Sequence, residues 1–275
     1  MSIAVAMVGS IPSPSSNSLS IGPLELRVYG FMIALGVLVA MWIAQRRWVA
    51  RGGDREDIAA IAVWAVPAGV VGARLYHVIT DISRFEGRWW HIPAIWEGGL
   101  GIPGGIAAGV LTGVVVAHRR GLPVADLLDV VAPALPVAQA LGRLGNWFNQ
   151  ELYGRPTDLP WALRIDPSHR PDDRLDVANY HPTFLYEALW NLALAAVLVW
   201  VERRWHPRPG QLFCGYVAGY AAGRFWVESL RIDPATMLLG IRINLWVSAV
   251  VFGAAVAVIV LRHRRSEPEP TTTSR

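Results

Sequence analysis

Apolar residues gather in seven runs separated by short polar stretches: 28–44, 58–79, 98–117, 125–148, 182–201, 211–230 and 243–261. Runs of roughly 20 such residues match the hydrocarbon thickness of a bilayer, so each predicts a transmembrane helix. Two of them are interrupted, the second by Arg74 and the fourth by Asp126, Asp129 and Arg143. Glycine recurs at stride four in two runs, at Gly101, Gly105, Gly109 and Gly113 and again at Gly215, Gly219 and Gly223. Small residues at that spacing let helix backbones approach closely in lipid, and these positions read as packing.

The polar stretches fix an expected orientation. Arg46, Arg47, Arg51 and Arg55 follow the first run, Arg119 and Arg120 the third, Arg203, Arg204 and Arg208 the fifth, and Arg262, Arg264 and Arg265 the seventh. These connections share one side, which the positive-inside rule makes cytoplasmic. The N-terminus is then outside and the C-terminus inside. Trp89, Trp90, Trp96, Trp147 and Trp161 fall at the outer interface and Trp42, Trp48 and Trp205 at the inner one, as aromatic belts. Residues 1–22 lack a basic leader and a cleavage site, and their Ser and Pro content suggests a mobile tail. Residues 23–265 form the membrane domain, with an ordered extracytoplasmic head over about 150–180, and the Pro-, Thr- and Glu-rich 266–275 reads as a disordered cytoplasmic tail. The architecture expected is an all-α polytopic membrane protein, a bundle of about seven transmembrane helices with a small head.

Composition agrees. Of 275 residues, 53% are hydrophobic and 17% charged, against about 25% charged in a soluble domain. Every basic residue besides histidine is arginine; the net charge of +4 is spread in short clusters between apolar runs, which is not a nucleic-acid footprint. The single cysteine, Cys214, lies in an apolar run and reads as a small buried hydrophobe.

Candidate chemistry sits at helix ends. GRLGNWFNQELYG (142–154) places Arg143, Asn146 and Gln150 at a three-then-four spacing, hence on one helical face, with Asn149, Glu151 and Gly154 beside them. Polar groups at membrane depth are costly and functional by default. A guanidinium fork with neutral amide donors suits a phosphate. HPTFLYE (181–187) reads as a helix start at Pro182 that carries His181, Tyr186 and Glu187 into the membrane. GRFWVESLRID (223–233) spaces Arg224, Glu228 and Arg231 by four and three. An ion pair from Glu228 to Arg231 would leave Arg224 free for a ligand anion. Arg74, Tyr76 and His77 form a weaker cluster, and Tyr29 a weaker one still. All fall in the outer halves of their helices and together describe a pocket for an anionic lipid headgroup. Nothing in the chain has the form of a phosphate loop, HExxH or a nucleophile elbow, and no metal or cofactor is expected.

These residues resemble the prolipoprotein diacylglyceryl transferases of bacteria. GRLGNWFNQELYG is similar to the family signature, and LRVYG (26–30), GARLYH (72–77), EGGL (97–100), HPTFLYE and GRFWVESLR stand in the family's order. The resemblance implies a seven-span inner-membrane enzyme with a periplasmic head. It would move the diacylglyceryl group of phosphatidylglycerol onto the lipobox cysteine of preprolipoprotein signal peptides, forming a thioether and releasing glycerol phosphate. Arg143, Asn146, Glu151 and Gly154 match the signature, Arg224, Glu228 and Arg231 the later arginine motif, and Tyr29 the tyrosine of the first span. The expected division of labour makes Arg143 and Arg224 a phosphate clamp, Asn146 and Tyr29 orienting donors, and Glu151 the group that fixes an arginine. Gly154, His181, Tyr186, Glu187, Glu228, Arg231 and Arg74 complete the phosphatidylglycerol site. One departure stands out: many members carry GGLxxHGG where this chain has GGLGIPGG, with Pro103 in place of the histidine. Either another group, Glu187 or His181, serves as base, or none is required.

Three rivals remain on the sequence alone. One is another lipid-headgroup transferase, but the aspartate cluster that its metal-dependent kinds need is missing from the spans, where Asp126 and Asp129 are the only close pair. An anion transporter also buries arginines in a bundle, but transporters often show internal repeats, and the polar motifs here all differ. A non-catalytic anionic-lipid-binding scaffold is separated only by detection of a covalent product.

Overall fold

The computed structural model describes residues 10–21, 24–80, 82–95 and 101–264. Eight α-helices carry the described chain: α1 Val28–Ala50, α2 Arg55–Thr80, α3 Ile102–Arg119, α4 Val124–Val131, α5 Ala134–Phe148, α6 Thr183–Trp205, α7 Gln211–Leu230 and α8 Ile243–Arg264. Every apolar run predicted from the sequence coincides with a helix or, for 125–148, with the pair α4 and α5. Four of them (α1, α2, α6 and α8) are long and apolar enough to cross a membrane, and the bent pair α4–α5 makes a fifth if it counts as one span. The apolar part of α3 is shorter, and α7 carries Arg224 and Glu228. The chain is thus a mostly helical polytopic membrane protein. The bend of 41° between α4 and α5 falls at Pro133, whose ring crowds the preceding turn and whose nitrogen has no proton to give.

The chain divides into two compact units, residues 41–130 and residues 1–40 together with 131–275. In the first, α2 and α3 meet through glycines. A Cβ at Gly72 would strike the Gly104 carbonyl and Ala108, and one at Gly109 would lie 3.3 Å from the Ala65 carbonyl. This is the close approach that stride-four small residues permit. Asp57 accepts from Trp48 Nε1 at 3.1 Å and from Arg120 at 2.9 Å, fastening α2 to the elements on either side of it.

The second unit holds the predicted site. Here α6 packs between α5 and α7, and α7 packs against α8. The glycines of α7 again serve contact: a Cβ at Gly215, Gly219 or Gly223 would meet Leu198, Leu194 or Trp190 of α6. Residues 149–182 form a small ordered segment between α5 and α6. Short strands β4 Leu163–Arg164 and β5 Asn179–Tyr180 pair antiparallel, and β1 Ile11–Pro12 joins β4 in parallel. Tyr153, Leu163, Ile165, Tyr180 and Phe184 make its core, with Ile11, Trp147 and Ile232 packed against it. Burial pushes the Tyr153 hydroxyl up to about 12. The stretch expected as an N-terminal tail contains β1 and a hairpin of β2 Ser18–Ile21 with β3 Leu24–Arg27, so backbone pairing continues ahead of α1. A last hairpin, β6 Met237–Leu238 with β7 Ile241–Arg242, links α7 to α8. The expected C-terminal tail 266–275, Trp96 and the EGGL motif lie outside the described residues.

Candidate active site

The site is built where α5 ends and α6 and α7 pass alongside it. α5 stops at Phe148 with Asn149 as its cap, so Gln150 does not share the face of Arg143 and Asn146 as the spacing predicted. Gln150 and Leu152 take φ of +51° and +59°, a left-handed conformation rare for residues other than glycine. Gln150 is locked there by its amide, which donates to Asp166 Oδ2 at 2.6 Å and to the Pro14 carbonyl at 3.2 Å and accepts the Asp166 N–H at 2.8 Å. Between the two left-handed residues stands Glu151. Its Oε1 accepts from Asn146 Nδ2 at 2.8 Å and from Asn149 Nδ2 at 3.1 Å. Glu151 therefore fixes the amides, not an arginine as expected. The reason is the turn itself, which directs the carboxylate back over the last turn of α5.

From Asn146 the contacts continue without a break. Arg143 donates Nη1 to Asn146 Oδ1 at 3.1 Å and pairs Nε with Glu187 Oε2 at 2.8 Å. Arg224 reaches the other oxygen of Glu187 at 3.2 Å and Glu228 Oε2 at 2.7 Å. Glu228, fully buried, also pairs with Arg231 at 3.5 Å and with Arg242 at 2.7 Å, and accepts from Asn244 at 3.1 Å. The expectation that the Glu228–Arg231 pair leaves Arg224 free is therefore corrected. One turn of helix brings Glu228 as close to Arg224 as to Arg231, and a carboxylate buried in lipid takes every cation within reach.

The far end of this chain is Asp233, held by both Arg231 (2.7 Å) and Arg242 (3.2 Å). Burial alone would raise the Asp233 carboxyl, but Arg231 and Arg242 override it and hold it below the usual carboxylate range. For Arg242 burial works against the charge, and Glu228 and Asp233 outweigh it and raise its pKa. Four arginines thus face three carboxylates in the ion-paired chain, an excess of one positive charge. Such an excess suits a monoanion.

Tyr29, in the first turn of α1, lies against Gly145, where a Cβ would overlap its ring. Gly154 sits where the segment between α5 and α6 returns to the helices. Its N–H meets the His181 carbonyl at 3.0 Å, and a Cβ there would press on His181, Thr183 and the Leu230 carbonyl. His181 Nδ1 lies 3.1 Å from the Tyr186 hydroxyl, which also takes the Trp161 N–H at 3.0 Å. Burial, with the Arg155 charge adding to it, pushes the His181 imidazole below its ordinary value.

The fold thus brings together Tyr29, Arg143, Asn146, Glu151, Glu187, Arg224, Glu228 and Arg231, with Gly154, His181 and Tyr186 alongside. Arg74 is different. It belongs to residues 41–130, where its guanidinium donates to the carbonyls of Ile92 (2.7 Å) and His91 (2.6 Å). Pro103, at the start of α3, belongs to that unit as well. The sequence reading missed Arg242, Asp233, Asn244 and Tyr220, the last of which interacts with Arg143. Arg242 and Asn244 offered one signal, a charged and an amide side chain just ahead of the last apolar run.

The profile of the prolipoprotein diacylglyceryl transferase family matches residues 16–261. A phosphatidylglycerol–prolipoprotein diacylglyceryl transferase of Streptomyces coelicolor is 52% identical over 258 residues, covering 93% of this chain and 81% of the relative. Proteins of the same name from Frankia alni (52% identical, 92% and 68% covered) and Cutibacterium acnes (49% identical, 93% and 88% covered) are similar to it in the same way. With the arginine–carboxylate chain in place and a match across nearly its whole length, the chain belongs to the prolipoprotein diacylglyceryl transferase family.

Proposed function

We propose that this chain transfers the diacylglyceryl group of phosphatidylglycerol to the lipobox cysteine of preprolipoproteins, and that Arg143 and Arg224 hold the phosphate. The observation that carries this reading is Glu187, whose two carboxylate oxygens lie one against each arginine. Two guanidiniums that converge on one carboxylate supply the donors that a phosphodiester would also require, which supports this reading. In the proposed orientation, with seven spans, the N-terminus outside and the C-terminus cytoplasmic, the site opens to the outer leaflet of a bacterial inner membrane, and residues 149–182 form a periplasmic head.

Chemistry follows from the charges. The substrate thiol attacks the glyceryl carbon bonded to the phosphate oxygen. A carbon–sulfur bond forms, the carbon–oxygen bond breaks, and its electron pair leaves with glycerol phosphate. The arginines stabilise the negative charge that grows on that oxygen. Asn146 and Tyr29 hold Arg143 in register, and Glu151 holds Asn146. When the phosphate takes its place between the arginines, Glu187 is released from both of them. It then accepts the thiol proton, which gives this chain a base where Pro103 replaces the family histidine.

The test is a product assay. The protein is reconstituted in phosphatidylglycerol vesicles with a lipobox peptide, and mass spectrometry looks for the diacylglyceryl thioether and released glycerol phosphate. Product that vanishes in Arg143→Ala supports the reading, and lipid binding without product would favour a non-catalytic scaffold. Normal turnover in Glu187→Gln would remove Glu187 as the base.

A further inference from the structure

One turn of helix beneath the arginines lie two carboxamides for which the chemistry above has no use. Asn191, four residues beyond Glu187 on α6, is 1% exposed, and both its amide atoms lack a partner among the described residues. Gln139, four residues before Arg143 on α5, has a buried Oε1 without a partner. The α5 and α6 helices run antiparallel, because Leu152 and Gly154, just past the end of α5, bond Thr183 and His181 at the start of α6. The step from Arg143 to Gln139 and the step from Glu187 to Asn191 therefore descend in the same direction, by about 6 Å each. Buried polar atoms without partners are rare and costly, and two such groups at one depth on neighbouring helices call for a partner that the described residues do not supply.

The donors can be identified. Gln139 Nε2 lies 2.9 Å from the Tyr216 hydroxyl. In that arrangement the phenol proton has no acceptor given by any described residue, while Oε1 stands empty. Turning the terminal amide over satisfies both, since the Tyr216 O–H then donates to Oε1 and the Gln139 NH2 takes the place of the unpartnered oxygen. Each residue then offers N–H donors to an acceptor-only ligand. In a phosphoglyceride bound by its phosphate, the groups one turn deeper are the two acyl esters, whose carbonyls accept and cannot donate.

We propose that Asn191 and Gln139 form a subsite for the acyl-ester carbonyls of the diacylglyceryl group, one helical turn beneath the arginines that hold the phosphate. The inference rests on the transfer reading for the lipid's placement. The two residues are positioning residues: they set the depth and rotation of the glycerol backbone, so that the carbon to be attacked faces the thiol. They also give the site a reason to prefer ester-linked over ether-linked lipid, because an ether leaves buried N–H groups unpaired.

The experiment offers the full-length protein vesicles of equal parts diester and diether phosphatidylglycerol, matched in chain length, and reads retained lipid by mass spectrometry after extraction in detergent. The expected result is retention of the diester over the diether by about tenfold, the scale of one or two hydrogen bonds. In Asn191→Leu that ratio should fall to near one through loss of the diester, while retention of the diether is unchanged because the arginines are intact. Should Asn191→Leu not fold, Gln139→Leu and Asn191→Ala carry the same measurement. Equal retention of the two lipids by the unaltered protein, as a water-filled subsite would give, overturns the proposal, as does a ratio that survives both leucine variants. Thioether formation from a cysteine peptide in the same vesicles is scored separately. Product without lipid preference sinks the subsite alone, and preference without product sinks the transfer reading alone.

Discussion

Gly145 lies so close beneath the ring of Tyr29 that a single added methyl group would overlap it. The glycine is one residue from Asn146, whose amide ties Glu151 and Arg143 together. Gly145→Ala should therefore act on chemistry more than on folding. Overpacking of this kind costs about 1–3 kcal/mol. Helix content by circular dichroism should stay intact while thioether formation falls at least about tenfold, as Asn146 shifts.

Arg143 uses two different nitrogens for its two neighbours, Nε for Glu187 and Nη1 for Asn146. A lysine keeps the charge but brings one nitrogen on a flexible stem. Arg143→Lys should lower kcat/KM for the lipobox peptide by about tenfold or more, the loss of one charge-assisted bond. Full activity in that variant would show that charge alone suffices.

Arg242 serves the fully buried Glu228 from the hairpin before α8. Removing one partner of such a pair leaves a buried charge uncompensated, at about 3–5 kcal/mol. Here Arg224 and Arg231 remain, so Arg242→Met should sit at the low end of that range. Denaturant unfolding in detergent measures it, and adding Glu228→Gln should recover part of the loss.

His181 provides a pH test. Its folded pKa lies below the ordinary 6.5 because burial and Arg155 disfavour the imidazolium. Above pH 6.5 the ring is neutral in both the folded and the unfolded state and contributes no slope. As pH falls from 6.5 through the folded value, the unfolded chain binds the proton first and stability drops. Thermal unfolding followed from pH 7.5 to 5 should show this decline in the unaltered protein and a flatter curve in His181→Phe. Asp233, whose pKa is lowered, loses its contribution only below the carboxylate range.

The helices were legible because each apolar run is long and its boundaries carry arginine, proline or glycine. Arg143, Asn146, Arg224 and Glu228 were legible as members of a site, since charges in apolar helices stand out. Their partners were not. The bond from Arg143 to Glu187 spans 44 positions along the chain and that from Arg242 to Glu228 spans 14, and helix periodicity relates only neighbours three or four apart. Gln150 shows the opposite failure. Its spacing from Asn146 was right for a helix that had already ended, because the turn was fixed by bonds to Asp166 and Pro14 that local sequence does not reveal.

That turn has a consequence for how far the reaction centre extends. Gln150 and Leu152 each hold a backbone conformation that costs about 1–3 kcal/mol for a side-chain-bearing residue. The bonds that keep Gln150 in it end at Asp166 and at Pro14, between β1 and β2, and Glu151 is aimed by the pair. A change at Asp166, or at the start of the chain near Pro14, thus has a short mechanical route to the amide that steadies Arg143. The segment between α5 and α6 is a lever on the arginine cluster, and a substitution at Asp166 or Pro14 is expected to change the reaction without touching Arg143.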